Sequence, residues 1–430
     1  MPTMTSAVTL PPGPTAPRAV QGAYALTQPL RGLRRLRDRY GDAFTVNVPI
    51  FGNAVVISDP AEIKQLFTSG PELVDNLEVN LGRVLGPRSL FALSGEEHKR
   101  QRKLLVPPFH GRRLAAYEKI VEAEAVREFA SWPEERPFAT LPSMMRITLN
   151  AILRAVFGAE GAEFAELREL LPPFVTLGSR LAVLPIPKKG RFNPWRRFEA
   201  MRREYDAIVG RLIAKARPDG DDVLSMMLQT RYDDGSRLTR EEISDQLLTL
   251  LTAGHETTAT TLAWAVERLR RHPALLAELQ GDDGTLLDAT ILEVQRTRPV
   301  IDLTARQVRQ DGFRLGRWTL PKGYAVLVSI ALIHDDDAVF PHAATFDPHR
   351  FAGARPDLYQ WIPFGGGTRR CLGAAFATME MTVVLRTLLR EFTLVPAAEP
   401  GERWHSRGVA YAPAKGGRAV VRRRTTGGAQ

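Results

Sequence analysis

The 430-residue chain contains a single cysteine, Cys371. One thiol excludes an intramolecular disulfide and every zinc or iron–sulfur site built on several cysteines, and it fits a reducing, cytoplasmic setting. Long apolar runs are missing too. None reaches the ~18 residues of a membrane span, and the opening MPTMTSAVTLPPGPTAPRAVQ lacks the basic segment and apolar core of a signal peptide or anchor. A soluble protein without a membrane anchor is expected. No strong excess of one charge sign exists: 58 Lys+Arg against 48 Asp+Glu gives +10. The arginines are spread along the whole chain and no nucleic-acid-binding motif accompanies them, so nucleic acid is not an expected partner. What remains is globular composition. With 44% of residues hydrophobic and 25% charged, disorder, collagen and coiled coil are excluded and a large core can form.

Length alone would accommodate two or three domains of ~150 residues, but no Ser/Gly linker and no internal repeat divides the sequence. One unit over 24–430 is expected behind a Pro-rich extended lead-in at 1–23. Helix is predicted over 30–40 and 60–68, with strands at 43–48 and 54–58 joined by a turn at Phe51-Gly52-Asn53. From about 95 to 300 apolar residues recur at three- and four-residue spacing with Pro or Gly at the breaks, so helix dominates. Short strands return near 307–324 and in the last fifty residues. The fold class is mainly α with a small β portion.

Cys371 stands in Phe364-Gly365-Gly366-Gly367-Thr368-Arg369-Arg370-Cys371-Leu372-Gly373, ahead of the helical run AAFATMEMTVVLRTLLREF. A lone cysteine is most often an inert core residue, but these neighbours point elsewhere. Three glycines let the backbone turn sharply and approach a flat ligand, and Gly373 removes the side chain just beyond the thiol. Two arginines and a helix N-terminus favour thiolate over thiol. A thiolate so placed can ligate haem iron, where its electron donation favours O–O cleavage. The string resembles the cysteine loop of the cytochrome P-450 haem-thiolate monooxygenases at Phe364, Gly367, Arg369, Cys371 and Gly373. The resemblance implies a P-450 fold with haem b between a long central helix and this loop. It also implies Cys371 as the proximal iron ligand, Phe364 near the sulfur and Arg369 on a haem propionate.

Other segments agree with it, in the family's order, from about residue 24 onward. Glu293 and Arg296 lie three apart on a predicted helix and share a face. In isolation they read as a solvated pair, but they resemble the family's Glu-x-x-Arg, which locks to an arginine of a Phe-x-Pro-x-Arg-Phe segment, here Phe346 to Phe351 with Arg350. The trio is expected to support the cysteine loop. The helical run 242–271 carries Ala253-Gly254-His255-Glu256-Thr257-Thr258, where a structural helix would prefer Leu or Ala. Small residues such as Ala253 and Gly254 let a helix lie against a flat ring, and a hydroxyl beside a carboxylate can relay protons. A helix-packing groove is the alternative. By resemblance, Glu256 and Thr257 are the acid–alcohol pair. In Gly95 to Lys103, His98 and Arg102 are i,i+4 on one face, and the family offers them, with Arg369 and Arg306, as donors to the haem carboxylates.

The expected activity is insertion of one oxygen atom from O2 into a lipophilic substrate. Electrons would come from a separate ferredoxin and ferredoxin reductase, because no cysteine set or spare length could build a fused redox domain. Arg100, Lys103, Arg112, Arg113 and Arg370 are the expected basic docking face on the cysteine side. A monomer is expected. The apolar segments 74–93 and 171–187 are the expected roof of the pocket, and Asp302 is either a pocket group for a polar or cationic substrate or a turn residue. The wording PPFHGRRL, LTAGHETTATTLAWA and WIPFGGGTRRCLGAAFA resembles a mycobacterial subfamily related to bacterial fatty-acid and terpenoid hydroxylases. A peroxide-driven peroxygenase and a non-catalytic haem-based sensor are the competing functions.

Overall fold

Pro and Gly at the breaks of the apolar pattern cut the chain into helices. The computed structural model describes residues 7–424 apart from 28, 78–79, 112, 159–160, 184–192 and 218–219. The elements that position the site are α1 (Pro29–Tyr40), β1 (Ala43–Val48), β2 (Gly52–Ile57), α2 (Pro60–Thr68), β3 (Val74–Asp75), α3 (Gly95–Leu105), α4 (Arg113–Phe129), α5 (Leu141–Phe157), α6 (Ala162–Val183), α7 (Arg240–Leu269), α8 (Thr285–Thr297), β4 (Leu303–Val308), β5 (Ala325–Ser329) and α9 (Ala374–Glu391). The five strands form one sheet in the order β1-β2-β5-β4-β3, antiparallel except for the β2–β5 pair. The turn between β1 and β2 covers 49–51, slightly before the expected position, and Gly52 already pairs with Val48. Pro49 explains the shift, since it cannot donate to the ladder and ends β1.

Of the expected extended lead-in, residues 7–17 are free of helix. The Pro12 carbonyl accepts the Thr45 N–H at 3.0 Å, and Gly13 passes too close to Thr45 to admit a Cβ. Helix then covers Arg18–Thr27, overlapping the end of the stretch expected to be extended.

The long central helix α7 starts with a capping box: the Thr239 hydroxyl accepts the Glu242 N–H at 3.2 Å and the Glu242 carboxylate accepts the Thr239 N–H at 2.7 Å. It ends at Leu269, four residues before Pro273. From Thr258 to Leu269 every residue is buried, so this half is core on all sides. Two apolar clusters flank α7, one containing Phe174, Leu247 and Leu251, the other Ile147, Trp264 and Leu385. Burial of each such side chain contributes about 1.5–3 kcal/mol, which fixes α7 between α5 and α9. Among the described residues no helix is long and apolar enough to cross a membrane.

Candidate active site

The middle of α7 departs from the burial of its C-terminal half. Leu250, Ala253, Gly254 and Thr257 fall on one face by helical spacing and are incompletely buried, Ala253 being exposed although it lies at the helix centre. The Thr257 hydroxyl donates to the Ala253 carbonyl at 2.8 Å, leaving its oxygen lone pairs to accept a bond from whatever lies against this face. Glu256 points elsewhere. Its Oε1 accepts the Arg407 Nε–H at 2.9 Å, and it borders a cavity of about 280 Å³ with Leu149, Asn150, Arg168 and His255. The acid and the alcohol are thus neighbours in sequence that face different spaces, and no hydrogen bond joins them. Gly254 also differs from expectation. A Cβ there would meet Ile152 of α5 at an ordinary 3.6 Å, so the missing side chain makes room on the α5 side, and Ala253 is the small residue bordering the open face.

The cysteine loop is held by a bond from the Cys371 N–H to the Phe364 carbonyl at 2.9 Å. Gly365 and Gly367 adopt φ of +63° and +65°, a left-handed conformation that favours glycine. Side chains on Gly366 or Gly367 would also run into Phe67 of α2. A Cβ on Gly373, by contrast, would meet nothing within 4 Å, leaving clearance just beyond the sulfur. Cys371 is reached by solvent through a recess of about 720 Å³ shared with Arg102, Phe364, Arg370 and Arg386. Protein nevertheless surrounds the sulfur, and burial pushes the thiol up; the Gly373 N–H, Arg102 and Arg370 offset only part of that rise. Arginine and the helix-terminal N–H thus favour the thiolate, as the sequence suggests, but burial opposes them; a cation bound at the sulfur would favour the thiolate further.

Beside the loop lies a cluster of cations. His98 is buried, and burial together with Arg369, Arg102 and Arg306 pulls its pKa down to about 4 against the opposing pull of Asp75. Arg306 donates to the Gly366 carbonyl at 3.0 Å and the Ala305 carbonyl at 2.8 Å, without a carboxylate partner, and burial and Arg369 hold it down at about 10. Arg369 pairs with Asp75 at 2.6 Å. The charged groups around His98 are therefore three guanidiniums and one carboxylate, a net of two positive charges. A prosthetic group bearing two carboxylates fits this donor set.

Behind the loop, Glu293 and Arg296 are fully buried and bidentate, at 2.6 and 2.7 Å. Arg296 uses its remaining three N–H groups on the carbonyls of His334, Ala343 and Thr345. Glu293 also accepts the Asp347 N–H at 2.9 Å and has the Arg350 Nε within 3.3 Å of its second oxygen. Two links carry this network to the cysteine loop: the Ile362 N–H donates to His334 Nε2 at 3.0 Å and the Trp361 indole to the Leu292 carbonyl at 3.1 Å.

A sequence profile of the family Cytochrome P-450 matches residues 11–415. The chain belongs to the cytochrome P-450 family. Its relatives include cytochrome P-450 138 of Mycobacterium tuberculosis, 54% identical over 428 residues with 97% of each chain covered. Cytochrome P-450 135B1 of the same organism is 39% identical, with 97% of this chain and 92% of the relative covered. Among solved structures, one described as retinoic acid bound cyanobacterial CYP120A1 superposes with a TM-score of 0.87 at 25% identity, covering 97% of this chain and 100% of that one. The haem domain of cytochrome P-450DA, at 23% identity and a TM-score of 0.82 over 97% and 98%, shares the fold. As a P-450, the protein is a haem-thiolate monooxygenase, an oxidoreductase.

Several residues of this P-450 site carry no motif. Asp75 and Arg407 are the long-range partners of Arg369 and Glu256. Glu380 in α9 is buried beside the Thr258 hydroxyl, and burial pushes its carboxyl well up, toward the neutral form. A carboxylate nine positions after the cysteine in an otherwise apolar helix was the available signal. Asp302 is buried just before β4. Burial lifts it to about 6, while bonds from its own and Leu303 N–H groups and from the Tyr411 hydroxyl pull it down. Of the proposed pocket roof, 78–79 and 184–187 lie outside the described residues.

Proposed function

We propose that this P-450 inserts one oxygen atom from O2 into a lipophilic substrate, with Cys371 ligating the iron of a haem b whose two carboxylates are met by Arg102, Arg306, His98 and the remaining N–H of Arg369. The observation that carries this reading is the charge count around His98, three guanidiniums against one carboxylate. When bound, thiolate-ligated haem supplies O2 activation. Phe364 packs on the cysteine side and Gly373 leaves the clearance. Thr257, its proton directed at the Ala253 carbonyl, is an acceptor on the open face of α7. Glu256 takes protons from the cavity it borders and reaches the Thr257 side by exchanging its Arg407 partner. Substrates of the fatty-acid or terpenoid class agree with the largely apolar stretches 81–93 and 171–183 and with the retinoic acid in the solved cyanobacterial relative.

Electrons are proposed to enter from a ferredoxin and its reductase in the cytoplasm. Three of the expected docking cations are already neutralised locally: Arg100 by Asp234 at 2.8 Å, Lys103 by Asp233 at 3.2 Å and Arg113 by Asp221 at 3.8 Å. Arg112 lies outside the described residues. Arg370 and Arg386, at the recess by Cys371, are the better placed cations for an acidic partner.

The relay is tested by Thr257→Ala. Haem and substrate binding should persist, because the hydroxyl bonds only within its own helix. With a surrogate ferredoxin and reductase, reductant consumption continues while product per electron falls about tenfold or more and hydrogen peroxide accumulates. Unchanged product per electron would remove Thr257 from proton delivery. A peroxygenase would be indifferent to the reductase, and a sensor would yield no product under any condition.

A further inference from the structure

Asp75 occupies an unusual place for an acid. It is the one carboxylate among the charged groups that His98 faces, and it is buried. Its Oδ1 accepts the Arg369 Nη2 and Nε at 2.6 and 3.2 Å and the Asn76 N–H at 2.7 Å, and its Oδ2 accepts the Gly95 N–H at 2.6 Å. Three segments far apart in sequence meet on this one group: the end of β3, the first turn of α3 and the cysteine loop. Arg369 in turn donates to the carbonyls of Leu90 and Leu93. Four of its five N–H groups thus engage protein, leaving one for an outside anion. Arg369 is held mainly as a strut, and the charge it brings is matched inside the protein.

We propose that Asp75 is a positioning residue and a built-in counter-charge of the haem cradle: it aims Arg369 at the protein and leaves the net positive charge of the cradle equal to the two carboxylates of the group it receives, thereby setting the redox potential of the iron. The inference rests on the haem-thiolate reading of the site. Its physical basis is electrostatic. A negative charge retained beside the haem in a water-poor surrounding favours the ferric over the ferrous state, so its removal favours reduction. A purely structural cap of α3 would lower stability when lost without moving that equilibrium.

The test is spectroelectrochemistry of haem-loaded Asp75→Asn, a nearly isosteric change that keeps an acceptor for the Gly95 N–H. At the wild-type midpoint, where reduced and oxidised forms are equal, the ratio of reduced to oxidised haem in the variant should rise roughly five- to tenfold. Arg369→Gln should move the ratio the other way, and the double variant should return toward wild type, because the two removed charges cancel. Asp75→Glu, which keeps the charge, should stay near wild type and serves if the asparagine variant loads haem poorly. An unchanged or lowered ratio in Asp75→Asn would overturn the proposal. If the wild-type protein itself shows no thiolate-haem spectrum, the functional reading of the site fails instead.

Discussion

Glu293→Ala should not yield a folded, haem-replete protein. Removal of the carboxylate leaves the Arg296 guanidinium, fully buried, with three carbonyl acceptors and no counter-charge, and it deprives the Asp347 N–H of its acceptor and Arg350 of its ion-pair partner. Breaking a buried pair in this way costs about 3–5 kcal/mol, a large share of the 5–15 kcal/mol that holds a domain folded. Loss should be greatest where the network leads, through His334 to Ile362 and through Leu292 to Trp361, because these contacts precede Phe364 directly. Soluble yield, haem content per chain and the near-ultraviolet dichroism of Glu293→Ala measure this. A variant with full haem occupancy and a wild-type melting temperature would show the network to be peripheral to the loop.

The second large effect concerns the cation cradle and falls on the haem-bound form of the protein alone. Replacing Arg102 and Arg306 together by Met should weaken haem binding by roughly 10² to 10⁴-fold, because each charge-assisted bond to a carboxylate is worth about 1.5–3 kcal/mol and two are removed. Stability of the haem-free chain should not fall in step. There the guanidiniums repel one another: Arg369 lowers both Arg102 and Arg306, after burial itself. Relief of that repulsion offsets the loss of the Arg306 bonds to Gly366 and Ala305. Haem transfer to apomyoglobin gives the first quantity and thermal unfolding of haem-free protein the second. Unaltered haem retention in the double variant would mean that the carboxylates lie elsewhere.

The parts of this site that can be read from the sequence are those whose chemistry is local. The glycines around Cys371 and the Glu293–Arg296 spacing are each complete within ten residues, and each does locally what its residue types allow. The missing parts depend on chain segments that meet only after folding. Asp75 and Arg369 are 294 positions apart, and Glu256 and Arg407 are 151 apart. Nothing in the text of either segment specifies the other. The same limit explains the docking face, since Arg100 and Lys103 stand out as a basic run until the loop before α7 brings Asp233 and Asp234 against them. Gly254 shows another: residue type suggested space for a ring, while the direction of its missing Cβ, set by the helix phase, leads to Ile152. The cysteine itself shows a third, because burial, which opposes the thiolate, is invisible in a loop whose composition reads as exposed and basic.

The most direct test of the account is the spectrum of the purified protein reduced under carbon monoxide. Thiolate ligation by Cys371 predicts one haem per chain, extractable without breaking a covalent bond, with the red-shifted Soret band of a thiolate-ligated carbonyl complex in the wild type and its absence in Cys371→Ala. Retention of that band in Cys371→Ala, or a wild-type band at the unshifted position of a histidine-ligated haem, would contradict it.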